Sequence, residues 1–152
     1  MKIVRTQEVE WGPGMDHGRF NQRRKALGGD KLPCGLWELP PGKRSFPIHV
    51  HQVTEEALFV ISGHAKVRTP EGETAIGPGD YVSFPAGGTA HQLVNDGSEP
   101  LVYVGMAAVS GFDMVEYPES GKMAVSVGSS ADRKRAMFRR KDAVADYFEG
   151  EE

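Results

Sequence analysis

Between Cys34 and Val109, short apolar or alternating runs recur at regular intervals: Cys34–Leu39, Ile48–His51, Ala57–Ile61, Ala65–Thr69, Tyr81–Phe84, His91–Val94 and Leu101–Val109. Turn-forming clusters separate them, among them Pro40-Pro41-Gly42, Gly63, Gly77-Pro78-Gly79-Asp80, Pro85-Ala86-Gly87-Gly88 and Asp96-Gly97-Ser98. Many short strands broken in this way predict an all-β sandwich or barrel, because alternation with period 2 gives each strand an apolar face to bury. No apolar stripe of period 3.6 interrupts the region. Thr69-Pro70-Glu71-Gly72 predicts a hairpin turn between Lys66–Thr69 and Thr74–Ile76, with glycine supplying the positive φ of a tight turn.

The pattern changes near the C-terminus. Val144, Tyr147 and Phe148 stand at i, i+3 and i+4 and predict a short helical turn that docks its apolar stripe on the barrel or on a partner. Residues 129–140 read as an exposed connection. The chain therefore divides into an N-terminal extension (1–30) packing on the barrel or a dimer partner, a barrel (31–128), and a tail with a short helix (129–152).

Composition narrows the setting. A chain of 152 residues is about one domain's worth and can bury a core without staples. Its single cysteine, Cys34, forbids an intrachain disulfide and makes a reducing, cytoplasmic compartment the expectation. No window approaches the roughly 18 apolar residues of a membrane span, and the N-terminus lacks a secretory signal's apolar run. A net charge of −3, from 18 basic and 21 acidic residues, argues against a nucleic-acid partner. Arg133-Lys134-Arg135 and Arg139-Arg140-Lys141 are followed at once by Asp142, Asp146 and Glu149, the mixture of a solvated or self-paired face.

Against this scaffold, His49-Val50-His51 stands out. Two histidines one residue apart on a strand point to the same side. Glu56 follows five residues later and His91 forty residues after His51. Three imidazoles and a carboxylate are ligand types suited to a divalent transition metal. Taken alone, the His-x-His pair is equally a polar strand face. His17 and His64 lie outside the set and read as surface histidines. Trp37, Phe59, Phe84 and Tyr103 read as barrel core or lining, and Cys34 as a buried filler.

The spacing of these residues resembles the cupin superfamily. Its first motif, G-x5-HxH-x3,4-E-x6-G, is matched by Gly42, His49, His51, Glu56 and Gly63. Its second, G-x5-PxG-x2-H-x3-N, is matched by Gly79, Pro85, Gly87, His91 and Asn95. The Gly42–His49 and Gly87–His91 spacings are each one residue longer than the pattern, and both extra residues fall in turns, where insertions are best tolerated. Leu39–Pro47, Pro85–Gly88 and Glu116–Lys122 are also similar to small single-domain bacterial cupins labelled sugar-phosphate isomerases, a likeness covering most of residues 20–128.

This resemblance implies a double-stranded β-helix, or jelly-roll barrel, with His49, His51, Glu56 and His91 as ligands to Mn, Fe, Zn, Ni or Co, and a homodimer. Glu55 rivals Glu56, but the spacing to Gly63 favours Glu56, and neighbouring strand residues face opposite ways. Lys43 and Arg44, on the loop entering the His49 strand, are candidates to clamp an anionic or phosphorylated substrate, the alternative being a solvated loop. Ser120-Gly121-Lys122 reads as a plain turn in preference to a phosphate nest.

Three functions compete. The first is a sugar or sugar-phosphate isomerase, in which metal polarises a substrate oxygen while Glu55, Tyr103 or a metal-bound water moves a proton. The second is an Fe(II)-dependent dioxygenase, or a lyase, acting on a small organic acid. The third is a non-catalytic binding or sensor module, which an all-β core without a DNA-binding helix pair makes less favoured.

Overall fold

A strand with one apolar face needs a second layer to cover it, and antiparallel sheets supply that layer here. The computed structural model of the chain describes residues 1–128, 132–142, 146 and 148–151. A six-stranded sheet has the order β1 (Met15–His17), β2 (Phe20–Gly28), β3 (Cys34–Leu39), β10 (Leu101–Ala108), β5 (Glu55–Ser62), β8 (Tyr81–Phe84). A four-stranded sheet runs β13 (Lys134–Arg139), β12 (Lys122–Val127), β11 (Phe112–Tyr117), β4 (Val50–His51), and a three-stranded one β7 (Gly72–Ile76), β6 (Ala65–Thr69), β9 (Gln92–Val94). His49 and His91 exchange backbone hydrogen bonds of 3.2 and 2.8 Å, which joins the two smaller sheets edge to edge. The result is the all-β, double-stranded β-helix expected.

The core lies between the layers. Leu39, Leu58, Val60, Leu101 and Tyr103 from the large sheet meet Ala65, Val67, Ile76 and Leu93 from the other side. Each fully buried Leu or Val contributes about 1.5–3 kcal/mol relative to its exposed state. Trp37 and Phe84 pack against this cluster. Phe59 does not: Leu58 and Val60 take the inner positions of β5, so period 2 sends Phe59 outward, where it is 43% exposed.

The hairpin at Glu71-Gly72 forms between β6 and β7. Residues 1–30, expected as an extension, include β2, which pairs with β3 at the edge of the large sheet. Lys134–Arg139, read as part of an exposed connection, is instead a strand paired along its length with β12. Its side chains are almost all exposed, and Lys134, Arg135 and Arg139 give a charged edge that discourages further strand addition. Of the expected C-terminal helix, Arg140–Asp142 forms a 3-10 turn. Val144 and Tyr147 lie outside the described residues, and Phe148 is exposed. Among the described residues, no helix is long and apolar enough to cross a membrane.

Gly63 shows why one motif position is a glycine. Its φ is +78°, and a Cβ there would meet the Pro100 carbonyl oxygen at 2.3 Å. Gly63→Ala is expected to lose about 1–3 kcal/mol from backbone strain, plus the cost of displacing Pro100. For a chain of this size, that lowers the melting temperature by about 2–4 °C per kcal/mol. Thermal unfolding followed by circular dichroism measures it; an unchanged midpoint would contradict the assigned backbone geometry.

Candidate metal centre

The paired backbones of His49 and His91 set two imidazoles side by side, with ring centroids 4.9 Å apart. His51 lies two residues on from His49, so period 2 returns it to the same face, 5.1 Å from the His49 ring. Glu56 enters from β5 in the opposite layer and closes the group. Its Oε2 lies 3.8 Å from His49 Nε2, 3.5 Å from His51 Nε2 and 3.4 Å from His91 Nε2. The ligand atoms of His49, His51 and Glu56 all fall within 4.8 Å of one another, a spacing that can hold a metal ion.

The donor set fits such an ion. Two ligands each about 2.1 Å from a zinc-like metal are at most about 4.2 Å apart; all three His–Glu separations satisfy this limit, while the group whose ligand atoms are all mutually close is His49, His51 and Glu56, with His91 joined to it through Glu56. Ring tautomers agree as well. His49 Nδ1 donates to the Pro47 carbonyl at 2.8 Å, His51 Nδ1 to Asp113 Oδ2 at 2.5 Å, and His91 Nδ1 more distantly to the Thr89 carbonyl at 3.4 Å. These partners accept and cannot donate, so each neutral ring carries its hydrogen on Nδ1 and turns an Nε2 lone pair toward Glu56. Phe84 stacks on His91 at 3.7 Å and Phe46 meets His49 edge-on at 6.0 Å, fixing ring planes by packing.

Charge at the centre follows from these contacts. Burial pushes the Glu56 carboxyl up, but when the rings carry a second proton on Nε2 in place of a metal, hydrogen bonds from His49 and His91 and the charge of His51 outweigh it, and the group is held well below the usual carboxylate range. Asp113 behaves alike: burial raises it, while His51 and Thr54 bring it below its ordinary value. Its Oδ1 also accepts the backbone N–H groups of Val53 and Thr54 at 3.2 and 3.3 Å. Asp113 therefore orients His51 and pins the loop after it. The sequence reading did not single out this residue; only the pairing of β11 with β4 brings it to His51.

A cavity of about 180 Å³ opens from the centre, lined by His49, Glu56 and His91 at one side and by Trp37, Phe46, Phe84, Tyr103 and Arg24 elsewhere. Tyr103 is buried, its hydroxyl donates to Gln22 Oε1 at 3.2 Å, and burial pushes its proton affinity upward. A phenol so held keeps its proton and serves poorly as a base. Glu55 is exposed on β5 and does not line the cavity, as period 2 requires of Glu56's neighbour. Lys43 and Arg44 do not line it either: Lys43 donates to the Gly18 carbonyl at 2.8 Å and Arg44 to Gln92 at 3.5 Å. Cys34 is half-buried and lines the cavity. His17 and His64 are exposed, and Ser120-Gly121 is the turn between β11 and β12, with φ +59° at Gly121.

Residues 35–107 match the family model described as Cupin domain. A cupin-superfamily sugar phosphate isomerase from Silicibacter pomeroyi superposes with a TM-score of 0.80 at 22% identity, covering 96% of this chain and 98% of that one. A candidate sugar phosphate isomerase from Acidithiobacillus ferrooxidans gives 0.78 at 25% identity, over 95% of each chain. A candidate oxalate decarboxylase from Thermotoga maritima gives 0.64 at 19% identity, over 72% of this chain and all (100%) of that one. No curated protein matches the chain in sequence.

Proposed function

We propose, from the match of residues 35–107 to the Cupin domain model, that the chain is a cytoplasmic, metal-dependent cupin enzyme acting on a small molecule, with His49, His51, Glu56 and His91 as the ligands. The observation that carries this reading is the convergence of three Nε2 atoms on one Glu56 oxygen within 3.8 Å. When bound, a divalent transition metal there supplies Lewis acidity to a substrate oxygen. The chain's residues do the rest. Glu56 stays ionised, Pro47, Thr89 and Asp113 hold the rings in the ligating tautomer, and aromatic walls exclude water, which strengthens electrostatic contacts inside.

Isomerisation of a sugar or sugar phosphate is the favoured reaction, supported by the two near-full-length neighbours bearing that name. Its test is proton exchange. Metal-loaded protein in D2O with a panel of aldose and ketose phosphates is expected to incorporate deuterium beside the carbonyl, read by NMR, without consuming oxygen. A second reading, oxygenation or decarboxylation of a small organic acid, is favoured by the largely apolar cavity wall. Oxygen uptake or carbon dioxide release with Fe(II) and a carboxylate substrate, together with no exchange on the sugars, replaces the first reading by the second.

We further infer a homodimer. Phe59 and Tyr81 pair across β5 and β8 on the outer face of the large sheet and, with Ile61, are 43–62% exposed, an apolar surface suited to burial between copies. Sedimentation at micromolar concentration is expected to give twice the chain mass; a single-chain mass sinks the inference.

A further inference from the structure

Strand β2 has polar side chains on both faces. Arg23 pairs with Glu38 at 2.8 Å and covers Trp11. Gln22 and Arg24 take the other side, two residues apart and so on the same face. Arg24 lies opposite Trp37 in the β2–β3 register, and Trp37 opposite Tyr103 in the β3–β10 register, so the three form one row across the sheet. The Arg24 guanidinium sits 5.3 Å from the Trp37 ring. Among the described residues it has no carboxylate partner.

A second cavity, of about 470 Å³, lies under the N-terminal segment and shares Arg24, Trp37 and Phe46 with the cavity at the metal centre. Gln22 lines it and is only 2% exposed. Its Oε1 accepts from Tyr103, but its Nε2 has no hydrogen-bond partner. A buried donor left unpaired is costly; the atom is enclosed, so a ligand acceptor would remove that cost once the carboxamide turns toward the cavity. Steps of 5.3, 5.8 and 6.0 Å lead from the guanidinium to Trp37, to Phe46 and to His49.

We propose that Gln22 and Arg24 form an oxyanion-recognition subsite: the substrate's phosphate or carboxylate docks there while its reacting end reaches the histidine cluster. The proposal deepens the reading above and rests on it for the second end of the molecule. A flat or apolar middle would lie against Trp37 and Phe46. Glu10 also lines the second cavity but forms no ion pair with Arg24, so its carboxylate opposes the anion and limits affinity.

The test is a fluorescence titration in a Trp11→Phe background, which leaves Trp37 as the sole indole reporter, since the chain has two tryptophans. Phenyl phosphate, benzoate and neutral benzyl alcohol are titrated into metal-loaded and EDTA-stripped protein. Both anions are expected to bind in both forms, because Arg24 needs no metal. Arg24→Met, an exposed strand position, weakens both by about tenfold or more, the usual size of a charge-assisted contact, and leaves benzyl alcohol unchanged. Arg24→Lys restores part of the loss, Gln22→Leu weakens the anions, and Glu10→Gln tightens them. Glucose 6-phosphate and phenyl phosphate outcompeting benzoate identifies the anion as a phosphate; benzoate binding tighter identifies it as a carboxylate. Either order supports the subsite. Anion binding unchanged in Arg24→Met, or seen only with metal present, overturns it. Because the stripped protein is tested separately, a failed metal assignment leaves this result readable.

Discussion

His51→Ala is expected to purify with only background metal, while His64→Ala, altered at an exposed histidine off the site, retains the wild-type content. His51 contributes twice. Its Nε2 lies 3.5 Å from Glu56 Oε2, and its Nδ1 binds Asp113, which is only 3% exposed. Its removal takes away one of four donors and strips a buried carboxylate of its imidazole, leaving Asp113 the Val53 amide and the amide and side chain of Thr54. Thermal shift separates these effects. Saturating metal at 100 times its Kd stabilises a folded protein by about 2.7 kcal/mol, so the wild-type midpoint should rise on metal addition and that of His51→Ala should not move. Asp113→Asn gives the finer result: the amide can still accept from the ring but carries no charge, and affinity should fall about 10–100-fold. Equal metal in wild type and His51→Ala would remove the centre from this protein.

The second large effect falls on stability. Asn95 is fully buried (0% exposed), and its side chain makes three hydrogen bonds: Nδ2 donates to the Leu39 and Glu99 carbonyls at 2.9 and 2.8 Å, and Oδ1 accepts the Gly97 amide at 3.0 Å. Asn95→Ala removes all three partners at once. Of the three partners only the Leu39 carbonyl is buried, while Gly97 and Glu99 are exposed to water, so leaving that carbonyl unsatisfied should cost about 1–3 kcal/mol. That is a large share of the roughly 5–15 kcal/mol that stabilises a domain. The chemical-denaturation midpoint should drop accordingly. Asn95→Asp, which keeps only an acceptor, should not restore it. A midpoint within experimental scatter of wild type would mean that water replaces the amide in full, and that Asn95 is not the clamp between β3, β9 and the Asp96–Glu99 turn.

The middle of the chain was legible because its strands carry a one-sided apolar signal. Cys34–Leu39, Ala65–Thr69 and Tyr81–Phe84 are strands with those same limits. Ile48–His51 shortens to Val50–His51 because His49 pairs with His91 as an isolated bridge. Strand β2 was missed because Gln22, Arg23 and Arg24 all line the second cavity while Arg23 and Lys25 also lie against Trp11, so neither face is apolar and period 2 leaves no trace. The same holds for Lys134–Arg139, held by β12 without a buried face of its own.

The four candidate ligands and their frame were determined by the sequence itself, for a local reason. His49, His51 and Glu56 fall within one short stretch, and His91 opens the strand whose glycine–proline turn announces it. Strand alternation and tight turns act over a few residues, so their chemistry can be read along the chain. Asp113 reaches His51 from 62 residues away, and Gln22 reaches Tyr103 from 81. Those pairings depend on strand register, and register is a property of packed layers. Each residue, read in sequence, is one polar side chain among many. Tertiary structure alone decided which acid orients a histidine, which tyrosine keeps its proton, and that Arg24, in place of Lys43 or Arg44, looks into the cavity.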